Sequence, residues 1–163
     1  MDAQNKQLLN LLKQNSRYSE EELSEFIGIS SEEVSTRISD MESKGIICQY
    51  TVIINENEIS GVPVKALVEL SISPQKGTGY DAIAKRICGF SNVVSHYLVS
   101  GKYDFLVVVE GKDHKDIAHF VFDKLATLEH VTSTTTHFIF KSYKEHGVIL
   151  DDVNSVSRLA ILP

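Results

Sequence analysis

Apolar residues in the first 44 positions recur at the three- and four-residue spacing of amphipathic helices. They fall into three groups that polar stretches separate. The spacing predicts three short helices, each with one side that packs against the other two. In chain order, the apolar residues of these helices are Leu8, Leu9, Leu11 and Leu12, then Leu23, Phe26 and Ile27, then Val34, Ile38 and Met41.

Two capping signatures mark where the second and third helices begin. The pattern Ser-x-x-Glu occurs at 19–22 and at 30–33, and its hydroxyl and carboxylate can satisfy the free amides of a first helical turn. Residues 28–30, Gly-Ile-Ser, allow only a tight connection, in which glycine supplies a left-handed cap. A β-branched run at 47–54 is suited to a strand. Three helices, a short turn and a strand predict a winged helix-turn-helix domain over residues 1–52.

After residue 55 the pattern changes to alternating strands and helices. Four strand-like runs and two sets of helically spaced apolar residues give the order β-α-β-β-α-β. This order is typical of a ferredoxin-like (ACT-like) domain, whose helices pack on one face of an antiparallel sheet. We therefore predict an α+β protein with a linker strand at 53–62, a βαββαβ domain at 63–147 and a C-terminal tail at 148–163. The predicted strands cover 63–74, 93–100, 103–110 and 131–141, and the helix faces carry Tyr80, Ile83, Ala84 and Ile87, then Ile117, Phe120, Val121, Leu125 and Leu128.

The predicted strand residues 105–109, Phe-Leu-Val-Val-Val, do not alternate between apolar and polar side chains. Successive side chains of a strand point to opposite faces, so both faces of the sheet are apolar at this strand. Helices cover only one face in this layout, and an exposed apolar patch promotes association. The pattern predicts a homodimer formed through the helix-free face. The alternative is a central strand with a few tolerated surface valines.

Composition limits the possible functions. Apolar residues make up 42% of the chain, and neither a membrane-spanning run nor a signal peptide is evident, so we expect a soluble cytoplasmic protein. The two cysteines and six histidines lack the spacing of a metal site, and no nucleophile lies beside a base. We therefore expect no metal, no cofactor and no enzymatic activity. A net charge of −6 argues against a general polyanion binder, so any nucleic-acid contact depends on a local arrangement.

Four segments together resemble one known family. They are LLNLLKQNSRYSEEELSEFIGIS, TRISDMESKGII, the Gly-x-Tyr-Asp turn at 101–104 and VTSTTTHFIFKSYK. In this order, from about residue 2 to residue 150, they resemble the leucine- and asparagine-responsive (Lrp/AsnC) family of bacterial and archaeal transcription regulators. The resemblance implies a winged DNA-binding domain, a strand-like linker and a ligand-sensing domain that dimerises and often assembles into octamers. It also implies an amino-acid effector bound between dimers, near the Gly-x-Tyr-Asp turn and the last strand.

The third helix is expected to contact DNA with its outer surface. Arg37 matches a family arginine and is the foremost candidate for a base or phosphate contact, and an ion pair with Glu33 or Asp40 is its alternative role. The helix departs from the family because Ser39 and Asp40 occupy positions that are often basic. Residues 1–55 hold five basic and nine acidic residues, so we expect weak binding per monomer and dependence on multivalency. The predicted DNA-contacting residues are Arg17, Ser31, Ser35, Thr36, Arg37, Ser39 and Lys44.

A site for a free amino acid needs an acidic acceptor for the ammonium group and donors for the carboxylate. The turn at 101–104 offers Asp104 as the acceptor and a glycine that lets backbone amides approach a ligand. Thr134 and Thr136 share a strand face and match the family's Thr-x-Thr. The alternative is an ordinary hairpin turn in which Asp104 accepts from its own backbone amides. The predicted effector-binding residues are Val99, Gly101, Tyr103, Asp104, Thr134 and Thr136, with Tyr97 as a further lining residue.

These features predict a DNA-binding transcriptional regulator whose oligomeric sensor domain binds an amino acid. Its expected partners are double-stranded DNA, further copies of itself and the small-molecule effector, with no membrane. Two alternatives stay open. One is an amino-acid sensor that acts through protein partners and binds little DNA, because its reading domain is acidic. The other is an enzyme similar to siroheme decarboxylases, which share a comparable two-domain design.

Overall fold

The computed structural model of the chain describes residues 1–73 and 79–151. The chain forms two compact units, Met1–Ile53 and Ile54–Pro163. Each unit has its own cluster of buried apolar side chains. Within the described residues, no helix is both long enough and apolar enough to cross a membrane.

The first unit consists of three helices, as the apolar spacing predicted. Leu8, Leu23, Val34 and Met41 form its centre and are at most 1% exposed, so every helix contributes to one core. Burial of these side chains is the main source of the unit's stability, because helices of this length are marginal alone. The helices are α1 (Ala3–Gln14), α2 (Glu20–Ile27) and α3 (Ser31–Ser43).

Both capping signatures are used, although only the first forms in full. The Ser19 hydroxyl accepts from the Glu22 N–H at 3.2 Å, and the Glu22 carboxylate accepts from the Ser19 N–H at 2.8 Å. The Ser30 hydroxyl accepts from the Glu33 N–H at 3.2 Å, but the Glu33 carboxylate binds a side chain further along α3. Gly28 ends α2 with φ of 77°, a left-handed conformation that glycine adopts without strain. Local chemistry therefore fixes the connection between α2 and α3.

The strand predicted at 47–54 does not form. These residues have no regular secondary structure, and none pairs with a strand in the described part of the chain. β-branched residues favour a strand only where a neighbouring strand completes the hydrogen-bond ladder. Tyr50, Val52 and Ile53 are 48%, 71% and 41% exposed, so the apolar side chains that suggested the strand lie largely in solvent.

The linker strand predicted at 53–62 is also absent. A 3-10 turn at Glu56–Glu58 occupies its middle, and from residue 54 the segment belongs to the second unit. The Asn55 side chain caps the turn by accepting from the Asn57 N–H at 3.2 Å. Asparagine side chains compete in this way with extended backbone pairing, which explains why the segment turns.

The second unit has the predicted βαββαβ order. Its strands form one antiparallel sheet in the order β2-β3-β1-β4, and one helix follows β1 and another follows β3. The second of these helices continues through a π-helical turn at Val121–Leu125. The elements are β1 (Val64–Ile72), α4 (Asp81–Cys88), β2 (Val93–Leu98), β3 (Phe105–Gly111), α5 (His114–Phe120) and β4 (Val131–Ile139).

The core of the second unit lies on one face of the sheet, where apolar residues of α4 and α5 pack against it. In β3, Phe105, Val107 and Val109 are at most 1% exposed, whereas Leu106 and Val108 between them are partly exposed on the other face. The prediction that this strand is apolar on both faces is therefore confirmed. The helices of the unit cover one face of the sheet, and Leu106 and Val108 lie on the face that they leave uncovered.

The predicted tail begins too early. Residues on both sides of the boundary at 147 form a small hairpin of β5 (Lys144–Glu145) and β6 (Val148–Ile149). Leu150 is 8% exposed, and its N–H donates to the Tyr143 carbonyl at 2.9 Å. Strands of two residues produce no detectable periodicity, which is why the sequence pattern missed them. The remainder of the predicted tail, from residue 152, lies outside the described residues.

Candidate functional site

The outer side of α3 carries a line of polar residues. Glu32, Thr36, Ser39 and Ser43 follow one another at spacings of four, three and four positions, which places them on one side of the helix. All four are exposed. We call these four residues the α3 stripe. It contains no basic side chain, although two of the predicted DNA-contacting residues, Thr36 and Ser39, belong to it.

The other predicted contacts on α3 lie outside the stripe. Ser31, Ser35 and Arg37 are all partly buried. The Ser31 hydroxyl donates to the Ser24 hydroxyl at 3.4 Å, which links α3 to α2. These three residues are therefore less accessible to a DNA groove than the stripe is.

Arg37 is held by side chains of its own unit. Its guanidinium donates to Glu33 and Asp2, which lie 2.7 Å and 2.8 Å away, and to the side-chain oxygens of Gln4 and Asn5. These bonds use all five of its N–H donors. Hydrogen bonds from the Asn5 backbone and from Arg37 lower the pKa of the Asp2 carboxyl below its ordinary value. The ion pair with Glu33 that the sequence offered as the alternative role of Arg37 is present, so a DNA contact would require some of these bonds to break.

The two remaining predicted cations are more accessible. Lys44 pairs with Asp40 at 2.7 Å, but the lysine side chain is 61% exposed, and such surface pairs contribute little and break easily. Arg17 is exposed, and its guanidinium makes no ion pair within the described residues. Arg17 and Lys44 can therefore reach a phosphate at lower cost than Arg37.

In the second unit, Asp104 closes the β2–β3 turn against the end of β1. Its carboxylate accepts from the Ile72 N–H at 2.7 Å and from the Tyr80 hydroxyl at 2.9 Å. Its backbone N–H donates to the Leu70 carbonyl, and its carbonyl accepts from the Val99 N–H. The alternative interpretation, in which the Asp104 carboxylate accepts from the amides of its own turn, is therefore wrong. The carboxylate instead joins the turn to β1 and to Tyr80, the residue that precedes α4. A carboxylate has further lone pairs, so an additional cation can still bind to it.

The predicted threonines lie on a different strand from the turn. Thr134 and Thr136 are opposite Leu70 and Val68 of β1 in the register, and they share the face that carries the core. Because β1 separates β3 from β4, the threonines and the turn are about 10 Å apart, which is two strand spacings. Within one chain, the predicted effector residues therefore form two separate groups.

The remaining predicted effector residues belong to the turn and its flank. Gly101 has φ of 155°, a conformation that residues with a Cβ rarely adopt, and a Cβ placed there would contact nothing. Tyr103 is partly buried, and Tyr97, suggested as a further lining residue, is opposite Leu106 and 53% exposed. The turn is therefore open to a ligand on its Gly101 side.

Two side chains that were not among the predicted effector residues lie at the same end of the sheet. Tyr80 binds Asp104, and Arg86 lines a cleft of about 170 Å³ together with Glu129. None of the predicted effector residues lines this cleft. The local sequence places Tyr80 on a helix face but does not indicate its bond to Asp104, which lies 24 positions away.

The alkaline stability of the second unit should depend on Tyr80. The hydrogen bond to Asp104, with some burial, raises the pKa of the Tyr80 hydroxyl above its ordinary value of 10.0. The folded state therefore favours the protonated phenol, and this contribution is complete below pH 10.0 and is lost as the pH rises through the folded-state pKa. We expect the stability advantage of wild type over Tyr80→Phe to shrink above about pH 10, measured by urea unfolding across the pH series. A stability difference that stays constant up to pH 11, about one unit above the reference pKa of tyrosine, would contradict the hydrogen bond between Tyr80 and Asp104.

The helix-free face of the sheet carries an apolar patch. Leu67 is opposite Val108 and Leu106 is opposite Tyr97, and we call these four residues the helix-free patch. Beside it, His137 Nε2 lies 3.1 Å from the Glu69 carboxylate. An apolar centre with polar residues at its border is typical of a surface that binds another protein.

A helix-turn-helix unit joined to a βαββαβ unit, with family models that match both units, identifies a transcriptional regulator with a DNA-binding domain and a ligand-binding domain. The model of the winged helix-turn-helix DNA-binding family matches residues 1–47, and the model of the Lrp/AsnC ligand binding domain matches residues 65–149. The chain belongs to the Lrp/AsnC family of transcriptional regulators.

Relatives match the chain over almost its whole length. An uncharacterized HTH-type transcriptional regulator of Bacillus subtilis, YugG, is 39% identical over 96% of this chain and 95% of its own. The HTH-type transcriptional regulator LrpA of Pyrococcus abyssi is 28% identical over 88% of this chain and 99% of its own. The crystal structure of the transcriptional regulator NMB0573 of Neisseria meningitidis, a complex with L-Met, has a TM-score of 0.70 at 25% identity and covers 89% of this chain and 93% of that one. These homologues are transcriptional regulators.

Proposed function

We propose that this regulator binds double-stranded DNA through α3 as a homodimer or larger assembly, and that a free amino acid bound by the second unit changes its affinity for DNA. One observation carries the proposal: the chain joins a helix-turn-helix unit to a second unit, and the family model of a ligand-binding domain matches that second unit over residues 65–149. The complex of the Neisseria relative with L-Met supports an amino acid as the class of effector.

The effector site that we propose requires more than one copy of the chain. An amino acid needs a carboxylate partner for its ammonium group and donors for its own carboxylate. Asp104 offers the first, and Thr134 and Thr136 offer the second, but β1 lies between them in one chain. A neighbouring protomer can bring its threonines to the turn of this one, so assembly and effector binding would be coupled.

Homodimerisation through the helix-free patch is part of the same proposal. The patch is centred on β3 and β1, the two inner strands of the sheet. A second sheet laid against it would remove Leu106 and Val108 from water, which contributes about 25 cal/mol per Å² of apolar area buried. The effector then shifts DNA affinity by favouring one assembly, or one placement of the reading helices, over another.

The test is DNA binding by the full chain, measured by fluorescence anisotropy with the DNA upstream of its own gene. We expect affinity to fall about tenfold or more between 50 mM and 200 mM salt, because phosphate contacts release counterions. Among the twenty amino acids, at least one should change both this affinity and the assembly size in sedimentation. If the protein binds no DNA even at low salt, the DNA role is overturned. If no amino acid changes the affinity or the assembly size, the effector role is overturned.

The engagement of Arg37 and the acidic character of the first unit favour a second candidate, a sensor that acts through a protein partner. Residues 1–55 hold nine acidic and five basic residues, and the cation that matches the family is bound to Asp2 and Glu33. This candidate predicts that an amino acid changes the assembly while DNA binding stays undetectable. The anisotropy and sedimentation measurements together separate the two candidates.

A further inference from the structure

The α3 stripe contains one carboxylate and no cation. We propose that Glu32 determines sequence specificity by accepting a hydrogen bond from the N4 amino group of a cytosine in the major groove. The inference rests on the proposed DNA binding through α3 and goes beyond it by assigning a residue and the base that it selects. It is not an affinity contact, since a carboxylate near DNA phosphates is repelled.

Among the carboxylates of α3, elimination singles out Glu32, because Asp40 pairs with Lys44 and Glu42 accepts from the Tyr50 hydroxyl. The Thr36 hydroxyl donates to the Glu32 carbonyl at 2.8 Å, and the Ser43 hydroxyl donates to the Asp40 carbonyl at 2.8 Å, so both hydroxyl protons serve the helix itself. Glu33 is bound to Arg37. Among the described residues, the Glu32 carboxylate makes no hydrogen bond or ion pair, and the side chain is exposed.

The position of Glu32 fits base contact. It is the second residue of α3, and the N-terminal residues of a recognition helix are those that reach base edges. Its backbone is fixed from both sides, by the Ser30 cap on the Glu33 N–H and by the Thr36 hydroxyl on its own carbonyl. A reading side chain on a fixed backbone loses less freedom on binding, which sharpens discrimination.

The chemistry selects the base. An ionised carboxylate only accepts hydrogen bonds, so guanine O6 and N7 and thymine O4 offer it nothing, whereas cytosine N4 and adenine N6 are donors. In adenine the acceptor N7 lies beside N6 and opposes the carboxylate, so cytosine is the better partner. At guanine or thymine the desolvated carboxylate is left without a donor, which is costly. Glu32 therefore penalises wrong sequences more than it strengthens the right one.

Selection from a randomised duplex library tests the proposal, with full-length wild type, Glu32→Ala, Glu32→Gln and a control, Glu25→Ala, which removes an exposed carboxylate from α2. Wild type should enrich a cytosine at one position of each half-site. Glu32→Ala should lose the preference at that position alone, and Glu32→Gln should shift it toward adenine, because glutamine pairs with N6 and N7. Glu25→Ala should enrich the wild-type sequence. Thermal unfolding should show that all variants fold, since both carboxylates are exposed.

A base analogue gives a second readout. A duplex in which the selected cytosine is replaced by pyrimidin-2-one, which lacks the 4-amino group, should weaken wild-type binding about tenfold and leave Glu32→Ala unchanged. If Glu32→Ala enriches the same bases as wild type, or if wild type ignores the loss of the amino group, the assignment of Glu32 is overturned while DNA binding stands. If wild type binds DNA but enriches no sequence, the assignment of Glu32 is likewise overturned, whereas the proposed DNA-binding function fails only if no salt-dependent binding is seen in the anisotropy measurement.

Discussion

Replacing Val108 with glutamate is expected to convert the assembly into folded monomers. Val108 lies on β3 at the centre of the helix-free patch, with Leu67 of β1 on one side and Ser95 of β2 on the other. In the proposed dimer an unpaired carboxylate at this position would lose water without gaining a partner, which costs about 3 kcal/mol or more. The dimer dissociation constant should therefore rise about 100-fold, measured by sedimentation velocity over a dilution series.

The matched control is Ala118→Glu, which adds the same charge to an exposed position of α5. It should sediment as wild type does, and circular dichroism should show that both variants keep their secondary structure. A Val108→Glu protein that remains dimeric at wild-type affinity would show that the helix-free patch is not the interface. In that case the partly exposed Leu106 and Val108 would be tolerated surface residues, as in the alternative interpretation of this strand.

Local chemistry makes the helices and the sheet predictable. Each helix boundary in the first unit is set by residues within four positions of one another, such as the Ser19–Glu22 pair and the left-handed Gly28. The face assignment of β3 follows from the period of two alone, and its burial alternates accordingly. The fold class of both units therefore follows from patterns that are local in the sequence.

What the sequence pattern missed depends on contacts between distant positions. Asp104 binds Ile72 and Tyr80, 32 and 24 positions away, and Arg37 binds Asp2 from a distance of 35 positions. The sequence pattern could suggest which ligand each side chain can bind, but not which side chain or backbone group of the protein already binds it. The same limit explains the absent strand at 47–54. A strand needs a second strand to pair with, and the sequence pattern indicated the β-branched run but not whether a partner strand lies beside it.

The strand positions of the predicted effector residues follow from the sequence, but their grouping in space does not. The turn and the threonines appear where their strands were expected, yet the strand order places β1 between them. Register and strand order follow from packing of the whole sheet, which a single-sequence pattern does not report. The predicted DNA contacts of α3 also fall into two groups. Arg37 is bound to Asp2 and Glu33, whereas Thr36 and Ser39 lie on the exposed α3 stripe, whose one charged side chain is a carboxylate.

Replacing Asp104 with alanine is expected to destabilise the second unit by about 2–3 kcal/mol, because it removes two charge-assisted hydrogen bonds at once. The Ile72 N–H is the more sensitive partner. It lies where the register of β1 against β4 shifts, and Ile72 is only 6% exposed, so its amide would be left unsatisfied near the core. Calorimetry should show a lower melting temperature for this variant, by about 10 °C.

Asp104→Asn separates this structural role from effector binding. The asparagine carbonyl can still accept from the Ile72 N–H, and the Tyr80 hydroxyl can turn to accept from the new amide, so most of the stability should be retained. The variant has no negative charge for an ammonium group. If Asp104 binds the effector, Asp104→Asn should melt close to wild type yet respond to no amino acid in the DNA-binding assay. If it responds as wild type does, Asp104 serves only to join the turn to β1 and Tyr80, and the ammonium group must find its partner elsewhere.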